Sequence, residues 1–172
     1  PIHPTNPPPT LSIPELVRLL MNEGMDFDAA FDITRKTFSY TNHTIMSEAL
    51  EKWDLNLMRS VVPDIVDIIL RIDERLKREN PGLFIVKDNT AHMANLSIYV
   101  GSYVNGVAAI HTEILKKDCF KDWYHMYPQR FQNKTNGVTP RRWMGLCNPE
   151  LTQLIRYRVG GDFLKDMDKL AK

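Results

Sequence analysis

Phe131-Gln132-Asn133-Lys134-Thr135-Asn136-Gly137-Val138-Thr139-Pro140-Arg141-Arg142-Trp143 is the stretch around which this chain is organised. Amide and hydroxyl residues precede a glycine, and a proline then opens a basic, tryptophan-bearing segment. Gly137 can take φ > 0 and let a ligand or another backbone come close. Pro140 suits the first turn of a helix, with Thr139 as its cap. Asn136, at the lip of such a turn, carries one acceptor and two donors, a set that suits sugar hydroxyls. Phe131-Gln132-Asn133 reads as extended. The whole has the composition of a crossing between two folded parts. It also fits a plain polar loop leading into a helix, because Asn and Gly are common in turns.

A chain of 172 residues fits one domain or parts of two. Its 43% apolar content is enough for a core. The net charge is +1, with acids and bases interspersed. A nucleic-acid surface would show a one-signed basic stripe; Lys116-Lys117 and Arg141-Arg142 are too short to make one. Two cysteines, Cys119 and Cys147, form no disulfide framework in a chain this long and fit free thiols in a reducing, cytoplasmic compartment. No signal peptide opens the chain. No apolar run approaches the ~18 residues of a membrane span.

Taken in order, residues 1–9 are Pro-rich and read as extended or disordered. Ser12-Ile13-Pro14-Glu15 is a helix start, with Ser12 as cap and Glu15 completing a capping box. Leu16, Leu19 and Leu20 form its apolar face, and Gly24 ends it. Asp26 or Asp28 starts a second helix, with Ala29, Phe31, Ile33 and Phe38 as core candidates. Tyr40 to Thr44 reads as a polar loop, and Ser47 to Trp53 and Asp54 to Val61 as two short helices. Pro63 opens a long amphipathic helix through Ile65, Ile68, Ile69, Ile72 and Leu76; its charged far end, Asp73 to Glu79, reads as a solvated face. Leu83 to Thr90 is a loop or hairpin. Ala94 to Val100 reads as a buried strand, and Asn105-Gly106 as a turn. Val107 to Lys117 is a helix with Ala108, Ile110 (or His111), Ile114 and Leu115 inward. Asp118 to Tyr127 is a short aromatic helix ended by Pro128. Asn148-Pro149-Glu150 starts a helix through Leu151, Leu154, Ile155 and Val159, ended by Gly160-Gly161. Asp162 to Leu170 is a last helix, with Phe163, Leu164, Met167 and Leu170 on one side.

No complete catalytic site is spelled out in these residues. There is no metal-ligand spacing of His or Cys, no G-x-S-x-G and no Walker-type loop. His111, on a helix, reads first as a packed or capping residue. Glu48 and Glu51 could be paired carboxylates; first-turn acids favoured by the helix dipole are the simpler reading.

Three strings carry a resemblance: the opening stretch; Phe38-Ser39-Tyr40-Thr41-Asn42-His43-Thr44 followed by Glu48-Ala49-Leu50-Glu51-Lys52-Trp53; and Val104-Asn105-Gly106-Val107-Ala108-Ala109-Ile110-His111-Thr112-Glu113-Ile114-Leu115-Lys116. Together, in this order, they resemble the glycogen and starch (α-glucan) phosphorylases, from about Thr10 to the C-terminus. The chain resembles a central piece of such a protein. The resemblance implies a parent of α/β class: two Rossmann-like domains of the glycosyltransferase B type, with the active site in the cleft between them. This piece would be mostly α-helical with one or two short strands. Residues 10–136 would end the N-terminal domain and 137–172 begin the C-terminal one. Residues 1–9, with Thr5-Asn6-Pro7-Pro8-Pro9, depart from the family pattern and take no function from it.

The implied reaction is reversible phosphorolysis. Orthophosphate attacks the terminal α-1,4-linked glucose of a glucan and releases α-D-glucose 1-phosphate with retention. The family uses pyridoxal 5'-phosphate, whose phosphate group exchanges a proton with the substrate phosphate. The lysine that holds the cofactor lies in a later segment with no counterpart here, as do the phosphate-binding lysines and arginines. By resemblance, His43 and Asn136 bind the glucosyl unit, Val107 lies near it, and Trp143 packs beside the cofactor. A buried glucosyl unit needs neutral hydrogen-bonding groups, since each hydroxyl left unpaired costs ~1–3 kcal/mol. Family members are usually homodimers; the charge and apolar pattern predicts no nucleic-acid or membrane partner, and no metal site is expected from the residues. The alternative is a non-catalytic helical module, derived from a phosphorylase, that binds glucan or protein. The missing lysines favour it; the joint presence of His43 and Asn136 opposes it.

Overall fold

The computed structural model describes residues 9–171. Residues 1–8 of the Pro-rich segment lie outside the described residues, and Pro9 begins a 3-10 turn, Pro9–Leu11. The described chain is mostly helical, with short strands in two three-stranded sheets. It divides into two compact units, Pro1–Thr135 and Asn136–Lys172.

In the first unit the 3-10 turn runs straight into α1 (Ser12–Asn22). The helix therefore has no open start at Ser12 for the expected cap. Leu11 takes the cap position in helical conformation, and Glu15 forks onto Arg18 with two 2.7 Å bonds instead of closing a capping box. Ile13 and Val17 are the fully buried residues of its face, while Leu19 points outward. Gly24, at φ 94°, breaks the helix. Asp26 caps α2 (Phe27–Thr37), accepting the Ala29 N–H at 2.8 Å. That start sets the phase of the helix. Phe27, Ala30, Phe31 and Thr34 go inward, and the expected Ala29 and Ile33 face out.

α3 (Leu55–Val61) is capped by Asp54, and α4 (Pro63–Glu79) buries Ile65, Ile68, Ile69, Ile72 and Leu76 as its periodicity predicts. One member of its charged end is not solvated. Asp73 is buried and accepts the N–H groups of Ile85 and Val86 at 2.7 and 2.9 Å, with Lys77 at 2.5 Å. A buried carboxylate is tolerable only with such partners.

The expected helix over Ser47–Trp53 shrinks to a 3-10 turn, Ser47–Ala49, followed by β2 (Lys52–Asp54). β2 pairs antiparallel with β4 (Thr90–His92), which forms a hairpin with β3 (Val86–Lys87). The hairpin turn is Asp88-Asn89, both at positive φ (49° and 58°), a conformation Asp and Asn accept more readily than other non-glycine residues.

The expected strand at Ala94–Val100 is a helix, α5 (Met93–Val100). All its residues but Asn95 are buried. A helix covered on nearly every side shows no apolar stripe, and a short apolar run then reads equally well as a buried strand. The opposite error occurs at two other places. Tyr40–Thr41 and Val104–Gly106, expected as loop and turn, are the strands β1 and β5; with β6 (Phe131–Asn133) they form a parallel sheet of order β1-β5-β6. α6 (Ala109–Ile114) continues into a wide π-type turn, Leu115–Cys119, and α7 (Lys121–Met126) ends before Pro128. Thr112 and Leu115 are its inward residues, and Ile110 is exposed.

The second unit opens with a wide helical turn, Arg141–Leu146. Thr139 supplies its carbonyl, not its side chain, to the Trp143 N–H at 3.0 Å. Asn148 caps α8 (Pro149–Val159) and Gly160, at φ 93°, ends it. Leu151 and Leu154 are exposed rather than inward; Thr152 is the buried residue, bonded to the Met144 and Asn148 carbonyls. The expected last helix is two 3-10 turns, Gly161–Leu164 and Met167–Ala171, with Phe163 fully buried.

Candidate functional site

Parallel pairing gives the three strands of the β1-β5-β6 sheet one common direction. Tyr40 pairs with Val104 and Thr41 with Asn105; Val104 pairs with Phe131 and Gly106 with Asn133. The segments that leave the sheet at its carboxyl edge are therefore Asn42-His43-Thr44, Val107-Ala108 and Lys134-Thr135. Each belongs to one of the three strings singled out in the sequence. In open parallel sheets the crevice outside the carboxyl ends of the strands is where ligands bind.

Neutral polar groups cross this edge. The Thr41 hydroxyl donates to Asn105 Oδ1 at 2.9 Å, and Asn105 Nδ2 to the Gly106 carbonyl at 3.1 Å. The Thr112 hydroxyl lies 3.0 Å from Asn133 Oδ1, and Asn133 Nδ2 donates to Thr135 Oγ1 at 3.0 Å. Gly106 is required by this packing: a Cβ there would lie 2.5 Å from Thr112 Oγ1 and 2.9 Å from its Cα.

Asn42 is buried, and all of its side chain is used. Nδ2 donates to the Tyr40 hydroxyl at 3.0 Å, while Oδ1 accepts the Thr44 N–H at 2.9 Å and faces His111 Nε2 at 3.1 Å. The Thr44 bond closes an Asx turn over His43. On the other side of the imidazole, His111 Nδ1 accepts the Val107 N–H at 3.1 Å. Burial pushes the Tyr40 hydroxyl above its ordinary pKa, against the Asn42 bond, which lowers it. Asn42 and Tyr40 are thus the residues beneath the site that residue-by-residue reading missed. Only their place in the Phe38-Ser39-Tyr40-Thr41-Asn42-His43-Thr44 string marked them.

Of the candidate site residues, His43 is exposed on this turn and Val107 is half-buried at the end of the next strand. His111 connects the two. Asn136 and Trp143 lie in the second unit, both exposed, with Trp143 69% accessible. A separate cavity of about 370 Å³, lined by Leu50, Glu51, Lys52, His92, Asp118 and others, contains none of these residues. Among the described residues no group of three His, Cys, Asp or Glu side chains could hold a metal ion, and no helix is long and apolar enough to cross a membrane.

The family model for carbohydrate phosphorylases matches residues 2–172. This chain belongs to the carbohydrate phosphorylase family. Human muscle glycogen phosphorylase is 45% identical over 179 aligned residues, which cover 95% of this chain and 21% of that protein. The maltodextrin phosphorylase of Streptococcus pneumoniae is 46% identical over 167, covering 95% and 22%. The brain form of rat glycogen phosphorylase is 43% identical. The chain thus spans about a fifth of the length of the curated phosphorylases it matches. The mostly helical content with short strands is consistent with a segment of a phosphorylase.

Proposed function

We propose that this chain is a glucosyl-site segment of an α-glucan phosphorylase. The whole protein would carry out reversible phosphorolysis: the glycosidic bond to the terminal glucose breaks, orthophosphate takes its place on C1, and the departing glucan oxygen receives a proton. The observation that carries the reading is the common carboxyl edge of the β1-β5-β6 sheet, where Asn42-His43-Thr44, Val107 and Lys134-Thr135 leave together. The Thr41–Asn105, Asn42–Tyr40, Asn105–Gly106 and Thr112–Asn133 hydrogen bonds within it join neutral groups. Apart from Lys134, such an edge presents neutral donors and acceptors to sugar hydroxyls.

By the family resemblance, His43 offers its imidazole to the region of the sugar's 6-hydroxyl; the same resemblance makes Asn136 a glucosyl-binding residue. Val107 supplies an apolar wall. Trp143 fits the pyridoxal phosphate requirement as a flat, exposed packing surface and supplies no attachment point. When bound, that cofactor supplies a phosphate group able to give and take a proton. The residues of this chain bind and orient the sugar. The wider assignments also rest on the family: residues up to about Asn136 in the N-terminal domain, those from Gly137 in the C-terminal one, a homodimeric parent and a cytoplasmic setting.

The test is the intact mass of the purified full-length protein together with glucan synthesis from glucose 1-phosphate and a primer. We expect a mass several times that of this chain, bound pyridoxal phosphate and activity. His43→Ala and Asn136→Ala should each lower kcat/KM roughly tenfold to a hundredfold, since each leaves a sugar hydroxyl unpaired. A full-length protein that binds glucan but forms no product would mark a non-catalytic binding module instead.

A further inference from the structure

The carboxyl edge of the parallel sheet is held by one side chain that no site assignment includes. His111 lies in the first turns of α6, four residues beyond Val107. Its two ring nitrogens have different partners on different strands' exits. Nδ1 is 3.1 Å from the Val107 N–H, which can only donate. Nδ1 therefore accepts and carries no proton. In the neutral ring the proton then sits on Nε2, which lies 3.1 Å from Asn42 Oδ1. Asn42 agrees with this orientation, because the same Oδ1 accepts the Thr44 N–H at 2.9 Å and Nδ2 is engaged by the Tyr40 hydroxyl at 3.0 Å. Every polar atom of the pair has one consistent role, so the tautomer and the amide orientation are fixed by the backbone at both ends.

From this we infer that His111 is a positioning residue for the glucosyl site: one neutral imidazole, protonated on Nε2, locks the His43 turn at the end of β1 to the Val107 exit at the end of β5. The inference rests on the phosphorylase reading given above and deepens it. His111 itself need not touch the sugar. Its Nε2–H holds the Asn42 carbonyl oxygen that also closes the Asx turn over His43. Its Nδ1 holds the backbone of Val107, immediately after Gly106, where Thr112 leaves no room for a side chain. Strand pairing fixes the two exits only as far as Asn42, whose N–H donates to the Asn105 carbonyl at 2.9 Å. Beyond that residue the imidazole and the Asx turn join the His43 turn to the Val107 exit; further along, Thr44 Oγ1 accepts the Met46 N–H at 3.2 Å and the Cys119 thiol donates to the Ile45 carbonyl at 3.3 Å.

The prediction separates positioning from mere support. In the full-length phosphorylase, His111→Ala should raise KM for glucose 1-phosphate about tenfold, the scale expected when two hydrogen bonds that orient a site are lost. KM for the glucan primer should stay unchanged. His111→Asn can still accept from Val107, and His111→Gln can still reach Asn42. Each should recover part of the effect, and Asn42→Ala combined with His111→Ala should cost little more than either change alone. The inference is overturned if His111→Ala lowers kcat or the active fraction with KM for glucose 1-phosphate unchanged, which is the behaviour of a purely structural residue. It is also overturned if all three variants match the parent protein while His43→Ala loses activity; the phosphorylase reading then stands without it. Should the alanine variant fail to fold, the asparagine and glutamine variants decide by the same KM comparison. A parent protein without phosphorylase activity removes the reading and the inference together.

Discussion

The first unit contains two three-stranded sheets of similar size and opposite character. The β1-β5-β6 sheet is parallel, and its middle strand, Val104–Gly106, is buried throughout. The β2-β4-β3 sheet is antiparallel, and its strand Lys52–Asp54 is exposed along its whole length. Parallel strands bring all their carboxyl ends to one edge, so three distant segments converge there. Antiparallel strands alternate ends, and their exits diverge. The candidate site residues of this unit gather on the first sheet and avoid the second. Strand direction, more than strand length or burial of any one side chain, decides where a site can be assembled.

The contrast can be broken most severely at Gly106. Gly106→Val forces side-chain carbons into Thr112, and the obstruction includes backbone, so it cannot rotate away. A loss of about 3 kcal/mol or more is expected, with glucose 1-phosphate utilisation abolished. Thermal melting of the full-length protein and hydrogen exchange over residues 104–112 would measure it. An unchanged melt would mean the close approach is dispensable.

The antiparallel sheet has its own anchor in Asp73. Asp73→Ala leaves the Ile85 and Val86 N–H groups, just before and within β3, without their acceptor. The expected cost is ~2 kcal/mol. Exchange should accelerate at Ile85 and Val86 while Val104 and Asn105 stay protected. Equal acceleration in both sheets would show that they open as one unit.

The smallest effect expected is a pH dependence confined to the antiparallel sheet. Burial, then the nearby Lys52 and Lys87, hold His92 below the ordinary histidine pKa. As pH falls through about 6.5 the unfolded chain takes up the proton before the folded one does. This sheet should therefore lose stability on acidification below that point and gain nothing above it. Amide exchange at Thr90–His92 near pH 7.5 and near pH 5.5 would show it, and His92→Gln should flatten the dependence.

Much of the helical framework was legible in the residues. Pro63 and the Ile65–Leu76 spacing define α4, and Asp26, Asp54 and Asn148 each cap the helix they precede. The parallel sheet was not. Its strands are two or three residues long, too short to show alternation, and each is paired with a partner far away in sequence. Asn105-Gly106 has turn chemistry and yet forms the middle strand, because Thr112 requires a residue without a side chain there. α5 failed for the reverse reason: a helix wrapped by the core has no polar face to reveal its period. At the site, the strings pointed to His43, Val107, Asn136 and Trp143. The bridging role of His111 depends on two distances that no spacing encodes.

The register Tyr40↔Val104 and Val104↔Phe131 also sets an order of events in time. The Asp88-Asn89 hairpin closes over two residues, a process of about 1–10 μs. The parallel sheet must bridge tens of residues twice, and contacts so distant along the chain form slowly. On a ribosome the hairpin is available once residue 92 has emerged, whereas the sheet that gathers the candidate site waits for residue 133.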